Sequence, residues 1–283
     1  MIEINNLKFS YKRNKMVIDD ISLSIEKGYI HGLLGKNGIG KTTLLKLMGG
    51  LLFPNSGEID IMGFSPMQRK VGFLQEIFFL SEEFDVHKMS IENYVKLNSA
   101  FYPRFSEVDF YNYLEEFEIT DRKSNLKSLS FGTKKKVIIA FGLATHARLM
   151  ILDEPTNGLD IPSKAQFRKI ILGAMNDETT IIISTHQVRD LHNLIDSIMI
   201  MDEKNILINS SNNEICSKLY FGMEKDISSL EGILYSEDSI GGNMFIKENT
   251  EKQESNLDIE LFFNAVFQNK KRIKEILSNN KNN

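Results

Sequence analysis

Two short stretches of this chain have residue types and spacings suited to phosphate chemistry. The first is Gly35-Lys36-Asn37-Gly38-Ile39-Gly40-Lys41-Thr42, with a further hydroxyl on Thr43. It fits G-x-x-x-x-G-K-[ST] at every fixed position. Glycines let the backbone turn tightly and present successive N–H groups to an anion, and a helix starting there adds partial positive charge. In such a loop Lys41 bridges the β- and γ-phosphates and the Thr42 hydroxyl ligates Mg²⁺. The second stretch is the carboxylate pair Asp153-Glu154, which follows the apolar run Leu149-Met150-Ile151-Leu152. There Asp153 can hold Mg²⁺ through a water while Glu154 polarises the attacking water. Both stretches point to a nucleoside triphosphate.

A phosphate loop needs a strand before it and a helix after it. Tyr29-Ile30-His31-Gly32-Leu33-Leu34 supplies the strand, and residues 43–48 supply the helix. A fully apolar run such as 149–152 is expected in a parallel sheet buried on both faces, and open sheets bind ligands at the carboxyl ends of their strands. Thr180-Ile181-Ile182-Ile183-Ser184-Thr185 would bring His186 to that same edge as a γ-phosphate contact. Residues 71–75 look like another buried strand ending in Gln75. Gln75 then either reaches the metal ion or the attacking water, or is a solvated strand-end amide. Residues 2–9 and 17–25 alternate as a hairpin, with Tyr11 in its turn, where an aromatic ring can stack on adenine. Ser130 and Gly132 precede a long helix, which suits an N-cap and equally a second anion-binding helix start. Residues 76–140 are expected to form a helical insertion, residues 187–195 a helix, and residues 197–201 a further strand.

Composition narrows the class. The chain has 283 residues, 34 Lys and Arg against 38 Asp and Glu, and a net charge of −4. That charge offers no footprint for nucleic acid. The single cysteine, Cys216, suits a reducing compartment. The N-terminus shows no secretory signal and no apolar run is long enough to span a membrane, so spans would come from a separate polypeptide.

In order and spacing these elements resemble the nucleotide-binding domain of ATP-binding cassette (ABC) proteins over roughly residues 1–205. The resemblance rests on Tyr11, the phosphate loop 35–43, Gln75, the signature region Leu129-Ser130-Phe131-Gly132-Thr133, Asp153-Glu154, Gly158-Leu159-Asp160 and His186. It implies an α/β fold: a P-loop NTPase cassette with a RecA-like core, an N-terminal antiparallel β subdomain and a helical insertion. It further implies adenine stacking on Tyr11, Mg²⁺ held by Thr42, Gln75 and Asp153, and ATP hydrolysis by Glu154 with His186 sensing the γ-phosphate. Two cassettes meet head to tail in this family, so that Ser130 and Gly132 of one close over ATP on the other, with Asp160 near the interface. A homodimer is expected. Phe131 and Thr133 depart from the family's Leu-Ser-Gly-Gly-Gln.

Residues 206–283 are expected to form a small α+β extension with a regulatory or dimer-supporting role, ending in a charged, Asn-rich tail (269–283) that frays. The extension resembles appendages of bacterial exporter subunits. The expected function is therefore the ATPase subunit of a membrane exporter, bound to a separate permease at the cytoplasmic face of the cell membrane. The alternatives are a soluble, non-transport ABC ATPase and a nucleotide-dependent switch.

Overall fold

The structure, a computed structural model, describes residues 1–12, 15–191 and 193–278. Strands β1 (Ile2–Lys12) and β2 (Lys15–Ile25) pair antiparallel, with Ile2 opposite Ile25 and Ile4 opposite Leu23. Alternate residues of both turn inward and are buried, the period a half-buried strand requires. Tyr11 belongs to the end of β1 rather than to the turn, whose residues 13 and 14 lie outside the described residues. After β3 (Ile30–Leu34) and α1 (Lys41–Met48), β4 (Ser56–Ile61) pairs with the other side of β1. This three-stranded sheet is the expected N-terminal antiparallel subdomain.

Residues 71–75 are not a strand. Val71–Leu74 forms one helical turn, α2, with only Phe73 buried and Val71 69% exposed. That is not the burial of a strand in a covered sheet. The strand, β5, is Ile77–Leu80, where apolar residues run consecutively. It lies inside the segment expected to be helical. The helical layer therefore begins later, with α3 (Ile91–Asn98), α4 (Glu107–Glu116) and α5 (Phe131–Ala144). Ser90, Ser106 and Ser130 cap these three helices, each hydroxyl accepting from the backbone N–H three residues on. Phe110 packs on Phe141, joining α4 to α5.

The chain continues through β6 (Leu149–Asp153), α6 (Ile161–Ala174), β7 (Thr180–Thr185), β8 (Ser197–Asp202) and β9 (Asn205–Ser211). Between β7 and β8 the expected helix is only a 3₁₀ turn, Val188–Leu191. Asn193 adopts a left-handed φ of 60°, which helical continuation does not allow. His192 lies outside the described residues. The central sheet has the order β5-β6-β7-β3-β8-β9, parallel except for the β8–β9 pair. β9 thus belongs to the core sheet, and the expected boundary at 205/206 cuts through a β-hairpin.

Beyond it come α7 (Asn212–Lys218), β10 (Leu219–Glu224), β11 (Ile233–Ser239), β12 (Gly242–Glu248), α8 (Ile259–Gln268) and α9 (Lys270–Ser278). The strands form a third sheet, β10-β12-β11. The tail expected to fray is helical over α9, because Ile273, Ile276 and Leu277 recur at helical spacing and are buried. Residues 279–283 lie outside the described residues. One buried cluster runs from Leu152 and Phe141 to Phe262 and Ile273, so the extension shares its core with the cassette.

Candidate active site

Parallel strands bring their carboxyl ends to one edge. In this sheet β5, β6, β7 and β3 are consecutive neighbours. The residues just beyond them, Ser81-Glu82, Asp153-Glu154, Thr185-His186 and the loop from Gly35, therefore converge at one place.

β3 is buried throughout and runs straight into Gly35. Lys36, Asn37 and Gly38 form the exposed crest of the loop, and Ile39 donates back to the Lys36 carbonyl at 3.4 Å. Gly40 precedes α1 with φ 117° and ψ 6°, a conformation side chains rarely adopt. Lys41, the first residue of α1, turns its ammonium under the loop. It donates to the carbonyls of Gly35 at 2.8 Å and Lys36 at 3.3 Å, and stands 4.0 Å from Glu154 Oε1. Burial lowers its pKa, against the pull of Glu154, Asp153 and Glu82.

Thr42 Oγ1 donates to Asp153 Oδ2 at 2.8 Å, and Ser184 Oγ donates to Oδ1 at 2.5 Å. Asp153 is fully buried. Glu154, 5% exposed, accepts from Thr185 Oγ1 at 3.1 Å and from the His186 N–H at 3.0 Å. His186 Nδ1 lies 2.8 Å from the same Oε1. A Glu154 carboxylate accepts a hydrogen bond from Nδ1–H, which leaves Nε2 free to face a ligand. Three donors thus aim one carboxylate.

Tyr11 is 57% exposed, and its hydroxyl is within 3.1 Å of Thr43 Oγ1, so the ring stands beside the start of α1. Ser130 caps α5 through the Thr133 N–H, and Asp160 caps α6 through the Ser163 N–H. Gly132 is close to the loop after β6: a Cβ there would sit 2.9 Å from the Gly158 carbonyl oxygen. Phe131 folds back over Gly158 and against Phe84, ring centroids 5.5 Å apart. The extension reaches the same region, with Lys36 Nζ 5.0 Å above the Phe267 ring.

Gln75 is not brought to this site. It follows α2 and precedes β5, so it lies at the amino edge of the sheet, where the neighbouring Glu76 pairs with Arg104 and Arg148. The strand alone, about 13 Å long at ~3.3 Å per residue, separates the two edges. At the carboxyl end of β5 stands Glu82, accepting from Asn157 Nδ2 at 2.9 Å. Its signal was present in the sequence: Ile77-Phe78-Phe79-Leu80 followed by acids has the form of the run before Asp153-Glu154. Lys135 was missed too. It is fully buried, donating to the carbonyls of Glu154 at 3.0 Å and Asn157 at 2.8 Å, and burial pushes its pKa down to about 8. Its position one turn before Ile138 and Ile139, on the inward face of α5, was the available clue.

The Thr42 hydroxyl and the Asp153 and Glu82 carboxylates are hard oxygen donors grouped beside a phosphate loop. That donor set fits Mg²⁺ and does not fit a soft metal.

The ABC transporter family pattern matches residues 18–157. The chain is 31% identical over 217 residues to the lantibiotic transport ATP-binding protein SrtF of Streptococcus pyogenes, covering 74% of this chain and 90% of that protein. It is 29% identical over 208 residues to the ABC transporter ATP-binding protein YtrB of Bacillus subtilis (strain 168), covering 73% and 70%. A solved ATP-binding subunit of an ABC transporter superposes with a TM-score of 0.69 at 24% identity, covering 76% of this chain and 91% of that one. By sequence and by fold, the chain belongs to the ATP-binding proteins of the ABC transporter family.

Proposed function

We propose that this chain hydrolyses ATP to power a membrane exporter, working as a head-to-tail homodimer beneath a separate permease. The observation that carries the hydrolytic part is the Glu154 carboxylate, fixed by Thr185 and His186 and 4.0 Å from Lys41 Nζ. A water on the γ-phosphate side of Lys41 would be within reach of that carboxylate, which would take its proton as the water oxygen bonds to the γ-phosphorus and the bond to the β–γ bridging oxygen breaks, releasing ADP and phosphate. His186 orients the base and presents its second nitrogen to the γ-phosphate. The phosphate loop 35–43 cradles the phosphates, and the exposed Tyr11 ring offers a face to adenine. Mg²⁺ would be held by Thr42, by Asp153 through water, and by Glu82 in the place expected of Gln75, and would neutralise phosphate charge during transfer.

Among the described residues no helix is long and apolar enough to cross a membrane; in this proposal the spans belong to a second polypeptide. An apolar groove of about 260 Å³, lined by Leu51, Phe79, Phe84 and Val86 beside β5, offers that partner a surface next to Glu82. A transport role is supported by SrtF, whose name assigns it to lantibiotic transport; the exporter direction is part of the proposal. Ser130, Gly132 and Asp160 stand together at the starts of α5 and α6, where a second copy would dock. Attachment to the inner face of the membrane follows from such a permease.

The test is capture of tagged Glu154→Gln protein from detergent-solubilised membranes with ATP and Mg²⁺. A stoichiometric partner with several membrane spans is expected. A soluble homodimer without such a partner would instead support a soluble ATPase.

A further inference from the structure

Residues 134–136 are three lysines near the start of α5, whose remaining residues, 137–144, are apolar. Cations near a helix N-terminus oppose its dipole, so helix stability does not explain them. The middle one, Lys135, is 0% exposed. A buried ammonium is expensive unless its donors are met. Here Nζ donates to the carbonyls of Glu154 and Asn157, and it lies 4.9 Å above the Phe131 ring. Two carbonyls and one aromatic ring thus surround a buried ammonium.

What those two carbonyls belong to matters most. Glu154 has a left-handed φ of 48°, a region non-glycine residues seldom occupy without surrounding support. That φ sets the direction of the Glu154 side chain relative to β6. Asn157, at the other end of the turn, uses its amide to hold Glu82. One ammonium therefore ties together the turn that aims the carboxylate and the residue that steadies Glu82. It does so from the first turns of α5, immediately after Ser130 and Phe131.

We propose that Lys135 is a positioning residue for hydrolysis: its ammonium clamps the Glu154–Asn157 turn and so holds the Glu154 carboxylate, and through Asn157 the Glu82 carboxylate, in their working directions. It touches neither ATP nor water itself. The inference rests on the hydrolytic reading above.

Lys135→Met keeps the length and the apolar stem while removing all three donors. Misdirecting a reacting group by about 1 Å costs on the order of a hundredfold in rate. The full-length variant should therefore lose ~30- to 100-fold in kcat, with KM for MgATP and the equilibrium Kd for ATP within about threefold of the parent. Lys135→Gln, with a shorter neutral donor, should fall between the two, and it carries the test if the Met variant does not fold. Single-turnover phosphate release from Lys135→Met/Glu154→Gln, or from the corresponding Gln double variant, should be slowed relative to Glu154→Gln by clearly less than Lys135→Met slows the parent, because the Glu154 arm of the clamp is already gone and only the Glu82 arm remains. A kcat within threefold of the parent for a folded single variant would overturn the proposal. So would a loss that adds in full to that of Glu154→Gln, the mark of general structural damage. A parent chain without MgATP hydrolysis would instead sink the hydrolytic reading, which is a separate outcome.

Discussion

Replacing Glu154 by glutamine and by alanine separates its chemical role from its structural one. Oε1 accepts from the His186 N–H at 3.0 Å and lies 2.8 Å from Nδ1, while Oε2 accepts from Thr185 Oγ1 at 3.1 Å. In Glu154→Gln the amide oxygen can keep the Oε1 place, so both His186 donors stay met. The amide nitrogen then faces Thr185, whose hydroxyl rotates from donor to acceptor. The site stays satisfied and the melting temperature should move by no more than about 2 °C, equivalent to about 1 kcal/mol in a chain this size. An amide cannot take a proton, however. Loss of a general base costs about 10²- to 10⁴-fold, or ~3 to 5 kcal/mol of barrier. Turnover measured by phosphate release should fall by at least that hundredfold, ATP affinity should change by less than about threefold, and size-exclusion with ATP should show an accumulated dimer. Glu154→Ala strands three donors at a position only 5% exposed. At roughly 1 to 3 kcal/mol for each donor that finds no water, it should melt well below the glutamine variant. A Glu154→Gln protein turning over within threefold of the parent would refute the assignment of the base.

The two ends of β5 make a direct contrast: Glu82→Ala should lower kcat at least tenfold, whereas Gln75→Ala should leave it unchanged, and steady-state kinetics with the reverse ranking would mean the sheet edge has been misassigned. Removing residues 206–283 deletes β9 from the core sheet and uncovers a shared buried cluster; calorimetry should show a lower melting temperature, and a truncated chain melting with the parent would show the extension to be independent. His31 is 4% exposed and burial lowers its pKa, opposed by its bond to the Glu26 carbonyl and the charge of Asp196. As pH falls below the unfolded value of about 6.5, the unfolded chain takes up a proton the folded one refuses, so His31 contributes a loss of stability of up to ~1.4 kcal/mol per pH unit. Urea midpoints between pH 7.5 and 5.5 should fall less in His31→Gln than in the parent, and equal falls would contradict this.

The parts of the site legible in the sequence are those whose chemistry is written locally. Gly35 to Thr42 names itself because the glycines, the lysine and the hydroxyl must be contiguous to wrap one phosphate chain. Asp153-Glu154 is legible because a doubly covered strand needs an uninterrupted apolar run, which marks where its carboxyl end falls. The same rule, applied to Ile77-Phe78-Phe79-Leu80, selects Glu82 over Gln75. The expectation failed there because Val71-Gly72-Phe73-Leu74 is also apolar, and composition does not reveal that Val71 and Leu74 face solvent. The missing helix at 187–195 and the added helix α9 have different causes. A left-handed Asn193 interrupts the first, and a core that extends past the cassette buries one face of the second. Phe131 shows the limit most directly. In the sequence it is only a departure from a family pattern, whereas in the structure its ring, 45% exposed on one side, packs on the chain's own Gly158 and over Lys135 with the other. A small residue could not cover that buried ammonium. The two departures in the sequence, an aromatic in the signature and a lysine on the inward face of α5, are one packing unit in space, and neither is interpretable without the other.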